Sequence, residues 1–169
     1  MRIFLIGMPG SGKSFWGHKW ARHCGLPHVD TDVWIQEKAG KTIETIFKVQ
    51  GEAHFRMLEA ACIKTLCQNY SNVLISTGGG LPCNNPTMNY LKEQGLTIYL
   101  KLPLQTLLHN LQKDQSSRPL LSEIPQRESL MQQLLEERRL WYEQAELVLE
   151  EPDMNTPTFL KRIEQYVKN

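Results

Sequence analysis

The sequence has no excess of charge of either sign and no long hydrophobic run. Its 169 residues carry 19 Lys and Arg against 18 Asp and Glu, a formal net charge of +1. A balance this close to zero gives no electrostatic basis for binding duplex nucleic acid or an anionic membrane. No run reaches the ~18 apolar residues of a membrane-spanning helix, and the apolar run after Met1 is too short for a secretory signal. We therefore expect neither nucleic acid nor a membrane as a partner.

The four cysteines lack the spacing of a metal site. Cys24, Cys62, Cys67 and Cys83 form no C-x-x-C pair and have no histidine cluster beside them, so zinc binding is not indicated. We expect reduced thiols that fill small spaces in the core of a cytoplasmic protein. The composition, 41% hydrophobic and 22% charged, is close to that of globular proteins, and the length predicts one domain over residues 1–169.

Short apolar runs of β-type residues alternate with longer helical stretches. Strands are predicted at Ile3–Ile6, Pro27–Asp30, Val73–Ile75, Thr97–Leu102 and Leu147–Leu149. Helices are predicted at Ser14–Cys24 and at Thr158–Val167, and in the polar region up to Asn69 with breaks near Gly40 and Gly51. Such alternation predicts an α/β fold with a parallel sheet covered on both faces.

Three chemically distinctive segments follow the first three predicted strands. They are Gly7–Ser14, Asp30–Asp32 and Gly78–Gly80. Ligands of open parallel sheets bind outside the carboxyl ends of the strands. We therefore expect these segments to converge on one edge of the sheet and to form the functional site.

The segment Gly7–Ser14 fits the pattern G-x-x-x-x-G-K-S/T. Its glycines let the backbone wrap around a phosphate with N–H groups pointing inward, and the start of the next helix adds a partial positive charge. Lys13 is placed to reach the β- and γ-phosphates, and the Ser14 hydroxyl to ligate Mg²⁺. The segment predicts a nucleotide-binding loop.

Asp30 and Asp32 end the second predicted strand. Two carboxylates two residues apart on a strand point to the same side, so that one could hold Mg²⁺ through water while the other faces an acceptor hydroxyl. An aspartate beside a turn also commonly caps the helix that follows. Next to a phosphate loop, we favour the functional interpretation.

Two segments in the first half of the chain have both an ordinary and a functional interpretation. Arg56 and Glu59, three residues apart on a predicted helix, could form a simple solvated ion pair or belong to a site. The three glycines Gly78–Gly80, after a buried strand, could form a plain loop or let a ligand approach the main chain closely.

The second half of the chain contributes two candidate arginines. Arg118 lies in a polar stretch, with two prolines, that suits a mobile lid over about residues 112–126; an arginine there could stabilise the charge on a transferring phosphate. Arg138 shares a helix face with Tyr142, four residues on. Together with Arg139 it could equally be surface charge.

Taken in order, these strings resemble the shikimate kinase family over nearly the whole chain. The matching strings are Gly7–Ser14, Leu26–Asp32, Gly51-Glu52 with Phe55-Arg56 and Glu59, Gly78–Gly80, Arg118–Leu121, and Arg138 with Tyr142. The resemblance implies a P-loop fold of the nucleoside-monophosphate-kinase type with a five-stranded parallel sheet. It also implies transfer of the ATP γ-phosphate to the 3-hydroxyl of shikimate, on the route to chorismate and the aromatic amino acids, by a monomer.

On the nucleotide side, the resemblance implies an ATP site and a Mg²⁺ cofactor. The implied ATP-binding residues are Gly10, Ser11, Gly12, Lys13, Ser14, Phe15 and Arg118. Ser14 resembles the Mg²⁺ ligand, and Asp30 the residue that holds the ion through water. Lys13 and Arg118 resemble the groups that neutralise charge on the transferred phosphate.

On the acceptor side, the resemblance implies a site for a small hydroxylated carboxylate. Asp32 is similar to the aspartate that binds shikimate hydroxyls and takes the proton of the attacking one. Arg56 and Arg138 resemble the pair that grips the carboxylate, a task suited to a planar guanidinium. Glu59 resembles the residue that orients Arg56. Gly78, Gly79 and Gly80 resemble the main-chain contacts to the ring.

The sequence departs from the family pattern at three places on the nucleotide side. Phe15 stands where the family usually has threonine, and we expect it to pack rather than to ligate. Residues 109–113 lack the arginine that the family commonly stacks on adenine, and residues 150–156 contain no clear match to a further nucleotide contact. Two other functions compete with shikimate phosphorylation: that of another small-molecule kinase, such as gluconate or adenylate kinase, and that of a non-catalytic nucleotide-binding module.

Overall fold

The structure, a computed structural model, describes residues 1–113 and 124–168. The strands are β1 (Arg2–Ile6), β2 (His28–Asp30), β3 (Val73–Ser76), β4 (Leu96–Lys101) and β5 (Leu147–Glu150). The helices are α1 (Lys13–Cys24), α2 (Thr31–Ala39), α3 (Ile43–Asn69), α4 (Asn85–Gln94), α5 (Leu104–Lys113), α6 (Ile124–Tyr142) and α7 (Thr156–Lys168). All five predicted strands are therefore confirmed, within one or two residues at their ends.

The five strands form one parallel sheet in the order β2-β3-β1-β4-β5. The central strand is β1, in which Phe4 lies opposite Ile75 of β3 and Thr97 of β4. The order places the ends of β1, β2 and β3 side by side, as expected. The segments after these strands therefore meet at the carboxyl edge of the sheet.

Apolar side chains cover both faces of the sheet. In β1, Phe4 and Ile6 belong to one core cluster, whereas Ile3 and Leu5 belong to the other, because successive side chains of a strand point to opposite faces. Helices α2 to α6 contribute to the first cluster, and α1 and α7 to the second. On the second face, the rings of Trp20 and Phe159 are stacked 4.2 Å apart.

Local chemistry explains where several helices begin and break. Thr42 accepts a hydrogen bond from the Thr45 N–H and begins α3. Within α3, Gly51 has φ 79° and ψ 171°, which interrupts the helix as the sequence predicted. Asn84 begins α4 in the same way by accepting from the Thr87 N–H; α4 is not among the elements predicted above. None of the helices in the described parts of the chain combines the length and apolar character needed to cross a membrane.

Candidate active site

The loop Gly7–Ser14 joins β1 to α1 at the carboxyl edge of the sheet. Gly10 and Gly12 both have φ 81°, a backbone region that favours glycine. A Cβ on Gly10 would lie only 2.7 Å from the Leu107 carbonyl oxygen, so α5 packs directly on the loop. Gly12 begins α1 without a side-chain cap. The first N–H groups of α1 are therefore left for an anion to bind.

Lys13 folds back over this loop and is 9% exposed. Its Nζ donates to the carbonyl oxygens of Gly7 and Met8 at 2.9 and 2.8 Å, and Ser11 Oγ lies 3.4 Å away. These contacts hold the ammonium group across the mouth of the loop. A cation held inside a backbone cradle of this kind suits the binding of a polyphosphate.

Asp30 caps α2 with one carboxylate oxygen and contacts Ser14 with the other. Its Oδ1 accepts from the N–H groups of Asp32 and Val33 and so caps α2, while its Oδ2 accepts from the Ser14 hydroxyl at 2.5 Å. An oxygen-only pair beside a phosphate loop is the donor set that Mg²⁺ prefers. Ser14 and Asp30 therefore fit a magnesium site.

The predicted strand position of Asp32 is wrong. Strand β2 ends at Asp30, and Asp32 lies in the first turn of α2. The helix begins here because the Asp30 side chain accepts hydrogen bonds from the N–H groups of Asp32 and Val33. Asp32 nevertheless reaches the glycine triplet. A Cβ on Gly78 would lie 2.6 Å from Asp32 Oδ1.

Arg56 and Glu59 form a partly buried ion pair instead of a fully solvated one. Arg56 Nη1 donates to Glu59 Oε2 at 2.6 Å, and its Nη2 donates to Glu52 Oε1 at 2.7 Å. Glu59 is 3% exposed, whereas the side chain of Glu52 is 65% exposed. Burial raises the pKa of Glu59, and the Arg56 guanidinium opposes that rise. The pair fixes the Arg56 guanidinium in one orientation at the edge of the site.

The glycine triplet is the point on which the candidate acceptor residues converge. A Cβ on Gly80 would lie 2.6 Å from Arg56 Nη1, and a Cβ on Gly79 would lie 3.3 Å from Arg138 Nη1. None of the three glycines has a φ between +20° and +160°, the region that favours glycine. A side chain at any of the three positions would press against a charged side chain of the site. The structure thus brings together Asp32, Arg56, Glu59, Arg138 and the triplet.

Two contacts at the site were missed by the sequence analysis. The Tyr142 hydroxyl donates to the Gly79 carbonyl oxygen at 2.7 Å, and Asn110 Nδ2 donates to the Gly10 carbonyl oxygen at 2.9 Å. The only sequence signal for the first was the spacing of Tyr142 from Arg138. The second comes from α5, in the stretch noted above for lacking an arginine.

Two of the nucleotide-side predictions have other outcomes. Phe15 lies on the outer surface of α1, where it is 64% exposed and makes a T-shaped ring contact with Trp16, so it does not pack into the core. Arg118 and most of the predicted lid, residues 114–123, lie outside the described residues.

A phosphate-binding loop on the central strand of a parallel sheet, facing a cluster of arginines and carboxylates around the buried Glu59, defines a P-loop kinase. A family model described as shikimate kinase matches residues 9–168. The chain is 41% identical to the shikimate kinase of Aquifex aeolicus over 147 residues, which are 87% of this chain and 84% of the relative. The chain belongs to the shikimate kinase family.

Solved structures agree with this assignment and with the nucleoside-monophosphate-kinase-like fold. Shikimate kinase from Bacteroides thetaiotaomicron superimposes with a TM-score of 0.89 at 31% identity, covering 100% of this chain and 99% of the other. Shikimate kinase from Acinetobacter baumannii in complex with shikimate gives a TM-score of 0.84 at 30% identity, covering 98% and 92%.

Proposed function

We propose that this chain transfers the γ-phosphate of ATP to the 3-hydroxyl of shikimate, giving shikimate 3-phosphate and ADP. The observation that carries the proposal is the placement of Gly79. A Cβ there would lie 3.4 Å from the Gly7 carbonyl oxygen of the phosphate loop and 3.3 Å from Arg138 Nη1. Gly79 thus lies between the phosphate loop, where the donor would bind, and Arg138, which would bind a carboxylate. This arrangement suits a small carboxylate whose hydroxyl faces the nucleotide.

The acceptor is held by charge and shape. Arg56 and Arg138 bind the shikimate carboxylate, with Glu59 fixing the orientation of Arg56. Asp32 accepts hydrogen bonds from the ring hydroxyls and takes the proton as the attacking oxygen bonds to phosphorus. The β–γ bridging oxygen leaves with ADP, so that one P–O bond forms as one breaks. The main chain of Gly78–Gly80 supports the ring.

The donor is held by the phosphate loop. On binding ATP, Lys13 exchanges contacts with loop carbonyls for contacts with the β- and γ-phosphates, which lie against the N–H groups of Gly10–Phe15. Arg118, in a lid over about residues 112–126, neutralises charge on the transferred group. Ser14 and Asp30 hold the magnesium ion, Asp30 through water. When bound, Mg²⁺ supplies charge neutralisation and orientation of the phosphates.

We extend the proposal to the organisation of the protein. Residues 1–169 form one kinase domain that acts as a monomer in the cytoplasm, on small molecules alone. The four cysteines support the cytoplasmic assignment, because all of them are free thiols, as is usual in a reducing compartment. The family membership established above supports the rest.

The test is a coupled assay of ADP release from Mg·ATP with and without shikimate, with gluconate and AMP as control acceptors. We expect turnover that depends on shikimate. Asp32→Asn keeps the shape of the side chain but removes the base, and should lower kcat by ~10²–10⁴-fold with the KM for ATP unchanged. Turnover with gluconate or AMP in place of shikimate would assign another small-molecule kinase. No turnover with any acceptor, while ATP still binds, would indicate a nucleotide-binding module.

A further inference from the structure

The three glycines of the acceptor loop have no side chains with which to fix their own peptide planes. The structure fixes two of their carbonyl groups by local turns: Gly78 O accepts from the Leu81 N–H and Gly80 O from the Cys83 N–H, both at 3.1 Å. The carbonyl oxygen of Gly79 is different. It accepts instead from side chains, at 2.7 Å from the Tyr142 hydroxyl and at 3.6 Å from Cys83 Sγ.

Tyr142 is well placed to hold this carbonyl group rigidly. Its side chain is 0% exposed, and burial raises the pKa of its hydroxyl, which therefore keeps its proton and remains a donor. Its ring packs 5.1 Å from that of Tyr99, and its hydroxyl lies 3.8 Å from Met8 Sδ in the phosphate loop. A phenol has few rotatable bonds, so little freedom is lost in making this contact.

Fixing the Gly79 carbonyl group also fixes the next N–H. The peptide is planar and trans, so the Gly79 C=O and the Gly80 N–H point in opposite directions. Tyr142 lies on one side of this peptide, and Gly80 approaches Arg56 closely. The hydrogen bond from Tyr142 therefore sets which way the Gly80 N–H faces in the acceptor site.

Tyr142 also relates this loop to the second arginine. It lies on α6, one turn after Arg138, and Arg138 Nη1 lies against Gly79. The two residues of α6 thus lie against the same glycine: Tyr142 donates to its carbonyl oxygen, and Arg138 Nη1 lies where a Cβ on Gly79 would come within 3.3 Å. A change in the position of α6 would move the arginine and the peptide together.

We infer that Tyr142 is a positioning residue for the acceptor. Its hydroxyl holds the Gly79–Gly80 peptide in one orientation relative to Arg138, so that the main chain and the arginine face the acceptor together. The inference rests on the proposed function for the identity of the acceptor. It assigns Tyr142 no contact with either substrate. Cys83 acts as a weaker second donor to the same oxygen.

The test compares Tyr142→Phe with Tyr99→Phe. Both variants lose one buried phenolic oxygen, and the two rings are neighbours, but only the first loses the bond to Gly79. We expect Tyr142→Phe to raise the KM for shikimate by about 10-fold, the effect of losing the stronger of the two hydrogen bonds that hold the Gly79 carbonyl group, with the KM for ATP within about twofold. Tyr99→Phe should leave both constants unchanged. Equal changes in both KM values, or the same effect from both variants, would overturn the inference.

A second measurement does not depend on catalysis. Amide hydrogen exchange by NMR should show faster exchange at Leu81 and Cys83, whose N–H groups donate within this loop, in Tyr142→Phe, by about 10-fold, and no change at these amides in Tyr99→Phe. Unchanged exchange in both variants would show that the hydroxyl does not hold the peptide. If the two variants exchange as expected but the wild-type protein turns over no shikimate, the proposed function fails while the positioning role of Tyr142 stands.

Discussion

At the scale of single residues, the site depends on which charged groups are removed from water. Glu59 is almost fully buried and fixes Arg56, whereas Glu52, on the other side of the same guanidinium, is mostly exposed. Buried, hydrogen-bonded charges contribute far more to recognition than exposed pairs do. Neighbouring residues of the same type can therefore differ sharply in their importance.

The pair Arg138 and Arg139 tests this difference within one helix. Arg138→Ala removes a charged donor from the acceptor site and should raise the KM for shikimate by ~10–100-fold, the equivalent of about 1.5–3 kcal/mol, with the KM for ATP nearly unchanged. Arg139→Ala is the matched control, because Arg139 is 64% exposed and pairs only with Glu143 in the described part of the chain. Steady-state kinetics on both variants gives the answer; equal effects on the two KM values would contradict the role of Arg138.

At the scale of elements, a chain of hydrogen bonds joins β2 and β3 to the start of α1. Ser76 Oγ donates to the Lys13 carbonyl oxygen at 2.8 Å and lies 2.9 Å from His28 Nε2. The serine hydroxyl has one proton to donate, so His28 must donate from Nε2. A Cβ on Gly17 would lie 2.3 Å from Ser76 Oγ. These hydrogen bonds therefore determine how closely α1, the helix that follows the phosphate loop, packs on the sheet.

This arrangement predicts a dependence of stability on pH. Burial lowers the pKa of His28 below its ordinary 6.5; Asp30 opposes the shift, and His18 adds to it. A histidine with a lowered pKa in the folded state stabilises the fold above pH 6.5, and this contribution is lost as the pH falls through the folded-state value. In urea unfolding, the wild-type protein should therefore lose more stability between pH 7.5 and 5.5 than His28→Gln does.

The control for this prediction is His23→Gln. His23 is exposed on α1, and its Nδ1 contacts only the Lys19 carbonyl oxygen among the described residues. Its replacement should leave the pH dependence of the wild-type protein intact. A wild-type curve parallel to that of His28→Gln would contradict the prediction.

The sequence was sufficient for the elements whose signals are local, but not for contacts between distant segments. The phosphate loop, the five strands and the break at Gly51 each follow from a short pattern, and all were predicted. Asp32 was misplaced because a strand pattern does not show that a side chain, here that of Asp30, will end the strand. The contacts of Tyr142 with Gly79 and of Asn110 with Gly10 join residues 63 and 100 positions apart, for which the sequence carries no periodic signal.

At the scale of the whole molecule, the two faces of the sheet differ in function: one carries the acceptor residues, and the other packs against α1 and α7. The acceptor residues come from α2, α3 and α6, which pack against one face, whereas α1 and α7 cover the other. The second face is held by the stack of Trp20 on Phe159. Stability and acceptor recognition can therefore be changed separately.

Phe159→Ala tests this separation. Truncation of a fully buried aromatic ring leaves a cavity and should lower the free energy of unfolding by about 3–5 kcal/mol, while the KM for shikimate at a temperature where the variant is folded stays within about twofold. Tyr166→Ala, at a position of α7 that is 40% exposed, should cost under about 1 kcal/mol. Chemical denaturation gives both values. A large rise in the KM for shikimate in Phe159→Ala would show that the two faces are coupled.

The central place of β1 in the sheet has a consequence for the order of assembly on the ribosome. The strand and its loop are synthesised before the elements that contact them: the neighbours of β1 in the sheet are β3 and β4, and the Gly10 carbonyl oxygen accepts from Asn110 of α5. A nascent chain that stops before β3 therefore exposes an apolar strand, and one that stops before α5 leaves the loop without its contact from Asn110. The segment that would bind the nucleotide is translated before all of these elements, and it cannot reach its final surroundings until α5 has emerged.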